Sequence, residues 1–95
     1  MDQINVSLQI LPVVEEEHIY EVVDQVIRYI DSTGVKYVVG PMETTMEGNF
    51  DDLMQIVKEA NEICFRKGIA RVVSVVKIDA KKEGVTIDEK ISPYR

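Results

Sequence analysis

Tryptophan is absent from this chain of 95 residues, and there is one cysteine, one histidine and only three prolines. With Cys64 alone, no disulfide framework can form within the chain, which points to a reducing compartment and makes the cytoplasm the expected location. The single histidine, His18, is far from Cys64 in sequence and falls in a different helical pattern. No Cys/His or Ser/His/Asp arrangement for nucleophilic catalysis is therefore available. No second histidine, cysteine pair or carboxylate cluster is read as supporting a metal site either, and His18 is expected to be a surface residue. The expectation is no catalytic residue, no metal and no cofactor. Long apolar runs are lacking too, so neither a membrane span nor a signal-peptide layout is expected. The eleven basic residues are scattered without forming a stripe, which argues against nucleic acid as a partner. What charge there is runs the other way: the net value is −6, a bias towards cationic ligands that salt screens at a distance.

What is present is an ordinary globular composition, 45% hydrophobic and 29% charged. The length suits one domain spanning residues 1–95. A chain of this size buries roughly 60–65% of its unfolded surface, so its core is thin and assembly would help it.

The order of elements is readable. Ile4, Val6, Leu8 and Ile10 alternate with Asn5, Ser7 and Gln9, which describes a strand with one buried and one polar face, ended or kinked by Pro12. Glu15, Glu16 and Glu17 open a helix where its dipole is positive, and Ile19, Val22, Val23, Val26, Ile27 and Ile30 follow helical spacing as far as Gly34. Val35 to Gly40 forms a second strand and Thr44 to Gly48 a short third. Asn49 is a good N-cap for a second helix carrying Phe50, Leu53, Ile56, Val57, Ala60, Ile63 and Cys64, which stops near Gly68. Arg71 to Asp79, dense in β-branched residues, is a fourth strand. Thr86 to Glu89 has capping-box form and starts a short terminal helix.

This β-α-β-β-α-β order is that of the ferredoxin-like α+β sandwich: a four-stranded antiparallel sheet in the order 4-1-3-2 with two helices on one face. The other face is expected to carry Ser7, Gln9, Tyr37, Val39, Thr45, Glu47, Val73, Val75 and Lys77. That mixture is too apolar to leave in water and too polar for a core, so a partner subunit, a ligand or both should cover it. Lys77 is expected opposite Glu47, where it can form an ion pair or meet an anion.

The most informative stretch is Gly40 to Gly48. A Gly-Pro break joins two strands, and two threonine hydroxyls and a carboxylate then fall within four positions. Strand alternation sends Thr45 and Glu47 to one face and Thr44 and Met46 to the other. A hydroxyl two positions from a carboxylate makes a donor and acceptor cluster that suits a polar heterocycle better than bond-breaking chemistry. Each side chain also has an ordinary explanation: Glu47 as a solvated strand end, Thr44 and Thr45 as β-branched strand formers, Ser7, Gln9 and Tyr37 as subunit contacts.

Over nearly its whole length the chain resembles the thiamine-binding-protein family, the YkoF-like group of single-domain ferredoxin-like proteins. The resemblance is carried by Asn5-Val6-Ser7-Leu8-Gln9-Ile10, Tyr37-Val38-Val39-Gly40-Pro41-Met42, Thr44-Thr45-Met46-Glu47-Gly48, Arg71-Val72-Val73, Lys77-Ile78-Asp79 and the tail Ile87-Asp88-Glu89-Lys90-Ile91. It implies binding of thiamine or its hydroxymethyl-pyrimidine moiety by a dimer or dimer of dimers; together with the half-apolar open face, the expectation is a non-enzymatic protein for sequestration, delivery or sensing of the vitamin, a homo-dimer or homo-tetramer joined through that face. Against that ligand, Glu47 would anchor the aminopyrimidine, Ser7, Gln9, Thr44 and Thr45 would add polar contacts, and Tyr37 or Met42 would pack on a ring. The rivals are an ACT-like amino-acid sensor module, which shares the element order, a small ferredoxin-like enzyme with Glu47 as base, and a purely structural assembly subunit.

Overall fold

The computed structural model describes residues 1–95. The elements run β1 (Ile4–Pro12), α1 (Glu16–Ser32), β2 (Lys36–Val39), β3 (Thr44–Gly48), α2 (Phe50–Arg66), β4 (Val72–Asp79), α3 (Ile87–Ile91) and a closing 3-10 turn (Ser92–Tyr94). All strand pairs are antiparallel and the order across the sheet is β2-β3-β1-β4, the expected 4-1-3-2 counted from the other edge. The protein is therefore a ferredoxin-like α+β sandwich, as the sequence predicts. No helix is long and apolar enough to cross a membrane.

Local chemistry accounts for the element ends. Asn49 caps α2 by accepting from the Asp52 amide at 2.9 Å. Thr86 and Glu89 make a complete capping box on α3. Gly34 closes α1 with φ of +78°, a left-handed conformation that a side chain would penalise.

The core lies between one sheet face and the two long helices. Ile4, Val6 and Leu8 of β1 and Met46 of β3 meet Val26 and Ile30 of α1 and Leu53, Ala60 and Cys64 of α2, all nearly or fully buried. Burial also pushes the Cys64 thiol up, which keeps it protonated and inert as the sequence expects of a core cysteine.

One strand is placed differently from its expectation. Register pairs Val38 with Thr45 and Lys36 with Glu47, so Lys36 and Val38 share the open face, while Tyr37 and Val39 stand on the helix side opposite Met46 and Thr44. Tyr37 packs against the core, and its hydroxyl donates to Asp31 at the end of α1 at 2.8 Å. That bond raises the Tyr37 pKa above its ordinary value. The physical reason is that Tyr37-Val38-Val39 does not alternate between polar and apolar residues, and without alternation the sequence does not say which face is buried.

Candidate functional site

The open face divides into two regions. Over one end lies α3, held by polar contacts to all four strands. The Ile87 amide donates to Glu47 Oε1 at 2.6 Å. Lys36 Nζ donates to Asp88 at 2.7 Å, and Lys90 Nζ reaches Asn5 Oδ1 at 2.8 Å and Asp79 at 2.6 Å. The hydrogen bond from Lys36 to Asp88 raises the lysine pKa, with lesser help from the charges of Asp88 and Glu47. Only Ile87 of this helix is fully buried.

Between α3, the sheet and the Gly40–Glu43 turn is a cavity of about 320 Å³. Val38, Ile87 and Ile91 give it apolar walls, Asn5 and Thr45 form polar points on its floor, and Met42 edges it. The turn is shaped by Gly40: its amide donates to the Glu43 carbonyl at 2.8 Å, and a Cβ there would sit 3.0 Å from that same oxygen. Only glycine allows so close an approach without movement. Glu43 in turn pairs with Lys77 at 2.9 Å, which ties the turn to β4. Lys77 is thus matched with Glu43, not with Glu47; its cross-strand neighbour is Ser7.

The floor is polar. Ser7 Oγ and Thr45 Oγ1 are 2.7 Å apart across β1 and β3, so one hydroxyl donates to the other and the pair keeps one further proton and free lone pairs. Asn5 is 3% exposed, its oxygen is taken by Lys90, and its Nδ2 is the one buried side-chain nitrogen or oxygen without a hydrogen-bond partner.

Of the residues expected at a site, Thr45 and Met42 line this cavity, and Ser7 joins it through Thr45. Glu47 is on the expected face but faces the first turn of α3 and caps it. Gln9 is half-buried on the open face opposite Val75, beyond the cavity. Thr44 is buried on the helix side, and with Met42 it lines a second cleft of about 270 Å³ under α1. Tyr37 is on that side as well and reaches neither the hydroxyl pair nor Glu47. The residues that sequence reasoning missed are Asn5 and the inner face of α3. Asn5 has the same parity as Ser7 and Gln9, which was a usable signal; the docking of α3 had none. Elsewhere, Glu15, Glu17 and His18 bring ligand atoms within 4.8 Å of one another at the start of α1, but all three are exposed and His18 is paired with Glu17 and Glu21.

The family model for thiamine-binding proteins matches residues 6–95. A UPF0045 protein of Clostridium perfringens is 66% identical over 95 residues, the full length of both chains. Among solved structures, a Thermotoga maritima protein provisionally assigned to thiamine biosynthesis or salvage superposes with a TM-score of 0.91 at 42% identity, covering 98% of this chain and 99% of that one. A domain of unknown function from Bacillus cereus superposes at 0.90 with 40% identity, over 99% and 91% of the two chains.

Proposed function

The chain belongs to the thiamine-binding protein family, and from that premise we propose that it binds the pyrimidine half of thiamine in the cavity beneath α3, without chemical turnover. The observation that carries this is the Ser7–Thr45 hydroxyl pair on the floor of a cavity sized for one heterocycle. About 320 Å³ is at the low end of the ~300–1,000 Å³ range of small-molecule pockets, so a single ring is enclosed and the rest of thiamine lies outside. The hydroxyl pair can both give and accept, as an aminopyrimidine edge requires. Binding is favoured over catalysis by what the candidate groups are already doing. The Glu47 carboxylate caps a helix, Glu43 is paired with Lys77, and Cys64 is buried.

The test is calorimetric titration of thiamine and of free hydroxymethylpyrimidine into the wild type and Thr45→Val. Both ligands should bind, with affinities within about tenfold of one another. Thr45→Val, which removes one hydroxyl at constant shape, should weaken both by ~2–12-fold, the ~0.5–1.5 kcal/mol of a neutral hydrogen bond. No heat from either ligand with the wild type would remove this function.

The protein also assembles, on the same proposal, through the part of the open face that α3 leaves bare. Leu11, Val73 and Val75 are 42–45% exposed there, and register places Leu11 beside Val73 and Val75 beside Gln9. The strip lacks charge in a chain of net charge −6, so two acidic copies repel least where it meets its own symmetry mate. Val73→Asp should reduce the sedimentation mass to that of a monomer or abolish recovery of folded protein. An unchanged mass would instead favour pairing of edge strands.

A further inference from the structure

β1 outruns β3, and one of its residues is without a neighbour on that side. The Val13 amide donates to the Arg71 carbonyl at 2.9 Å, so odd-numbered residues of β1 aim their N–H and C=O at β4 and even-numbered ones at β3. Ile4, Val6 and Leu8 find partners in β3, the last of them opposite Thr44, where β3 begins. Ile10 comes next, and there the chain has already turned away through Gly40–Glu43. The N–H and C=O of Ile10 therefore have no partner in the protein. Ile10 is 8% exposed, and buried backbone groups are nearly always paired. Pro12, the next residue of that parity, has no N–H, and its C=O accepts from the Val14 amide at 3.0 Å. The open edge is one residue long.

This edge lines the cleft of about 270 Å³ between α1 and the Gly40–Glu43 turn. Ile19, Val23 and Ile27 make its apolar wall, and Tyr20 and Met42, both largely exposed, flank it from the helix and from the turn. Thr44 adds a polar point. Its hydroxyl has no hydrogen-bond partner, yet Asn5 Nδ2 is the sole buried side-chain polar atom without one, so Thr44 Oγ1 keeps open surface in the cleft that Thr44 lines. The one ionised lining group, Glu43, is already paired with Lys77 at 2.9 Å.

We propose that this cleft is a second binding site, for a small, flat, neutral ring that presents an acceptor and a donor side by side, as a lactam does. Ile10 N–H donates to the ring carbonyl and Ile10 C=O accepts from the ring N–H. These are the paired bonds of an antiparallel ladder, made at the one position of β1 where β3 does not supply them. The volume is just under the ~300 Å³ at which small-molecule pockets usually begin, and it holds one ring. An extended peptide needs a row of open groups, and Pro12 ends the row after one residue. No unpaired charge lines the cleft, so a neutral ligand is desolvated there at least cost. The cleft shares only the Gly40–Glu43 turn with the cavity beneath α3, and the inference does not rest on the pyrimidine-binding function.

The test uses 2-pyridone as the lactam probe and N-methyl-2-pyridone as its match without a donor, with amide hydrogen exchange resolved residue by residue. At a 2-pyridone concentration of ~10 Kd, exchange of the Ile10 amide should slow ~10-fold, while that of the Ile87 amide in the other cavity stays as it was. The N-methyl compound should bind ~10-fold or more weakly, because its methyl group meets the Ile10 carbonyl where a donor is needed. Val23→Phe puts a ring of the protein's own into the cleft from a half-buried position. It should abolish 2-pyridone binding and leave the titration of hydroxymethyl-aminopyrimidine as in the wild type. Unchanged exchange at Ile10, or equal affinity for the two probes, overturns the inference and leaves the pyrimidine site standing. Binding that survives Val23→Phe lies elsewhere and overturns it too. Should Val23→Phe fail to fold, the exchange of Ile10 in the wild type decides alone.

Discussion

Leu53→Ala should lower the free energy of unfolding by ~3–5 kcal/mol, the cost of removing a fully buried leucine and leaving most of its cavity behind. Leu53 has no exposed surface. It lies in the first turn of α2, and its side chain presses on the end of β3: a Cβ built on Gly48 would be 3.4 Å from Leu53 Cδ2. The backbone there is held from moving in to fill the gap, because Gly48 is paired with Ile4 across the two inner strands of the sheet. Domains of this length have ~5–15 kcal/mol in total, so this one change removes a large share. At ~4–8 °C per kcal/mol, the melting temperature should drop by at least ~12 °C. Denaturant and thermal unfolding together check it, with Leu53→Met as a control that keeps the volume and should cost less than ~1.5 kcal/mol. A loss under about 1 kcal/mol for the alanine variant would show that the core around α2 collapses freely.

How far the fold could be read from the chain depended on how local the signal was. β1 alternates strictly, and its faces came out as expected. The caps at Asn49 and Thr86 depend on residues three positions away, and both formed. β2 has only four residues and two adjacent valines, so its parity is open to sequence reasoning, and Tyr37 stands on the helix side and not on the open face expected of it. At the candidate site the decisive contacts are long-range. Glu47 is 40 positions from the amide it caps, and Lys90 is 85 from the asparagine it orients. A pattern of faces along one strand carries no record of what docks on it. Glu47 therefore looked like a free carboxylate beside two hydroxyls, when its partner is a backbone donor from the tail.

That partnership makes the largest functional effect in the chain depend on a residue outside the cavity. Glu47→Lys should release α3 and weaken pyrimidine binding by ~100-fold or more, about 2.7 kcal/mol. A helix of five residues has no stability of its own in water, so its position depends on what holds it. The carboxylate accepts from the Ile87 amide at 2.6 Å, and a hydrogen bond to a charged group contributes ~1.5–3 kcal/mol. Reversal removes that bond. It also places an ammonium against the positive end of the helix and directly across from Lys36. The remaining ties, Lys36 to Asp88 and Lys90 to Asn5 and Asp79, are partly exposed ion pairs and polar contacts of modest strength. With α3 displaced, the cavity loses Ile87 and Ile91 from its walls and Asn5 loses the lysine that orients it. The core under α1 and α2 does not involve this helix, so the fold should survive. Hydrogen exchange over residues 87–91 separates the two effects: it should accelerate in Glu47→Lys while β1 and α2 stay protected. Glu47→Gln keeps an acceptor for Ile87 and should retain most of the protection and most of the binding. If Glu47→Lys leaves residues 87–91 as protected as in the wild type, the carboxylate is not what holds the roof on.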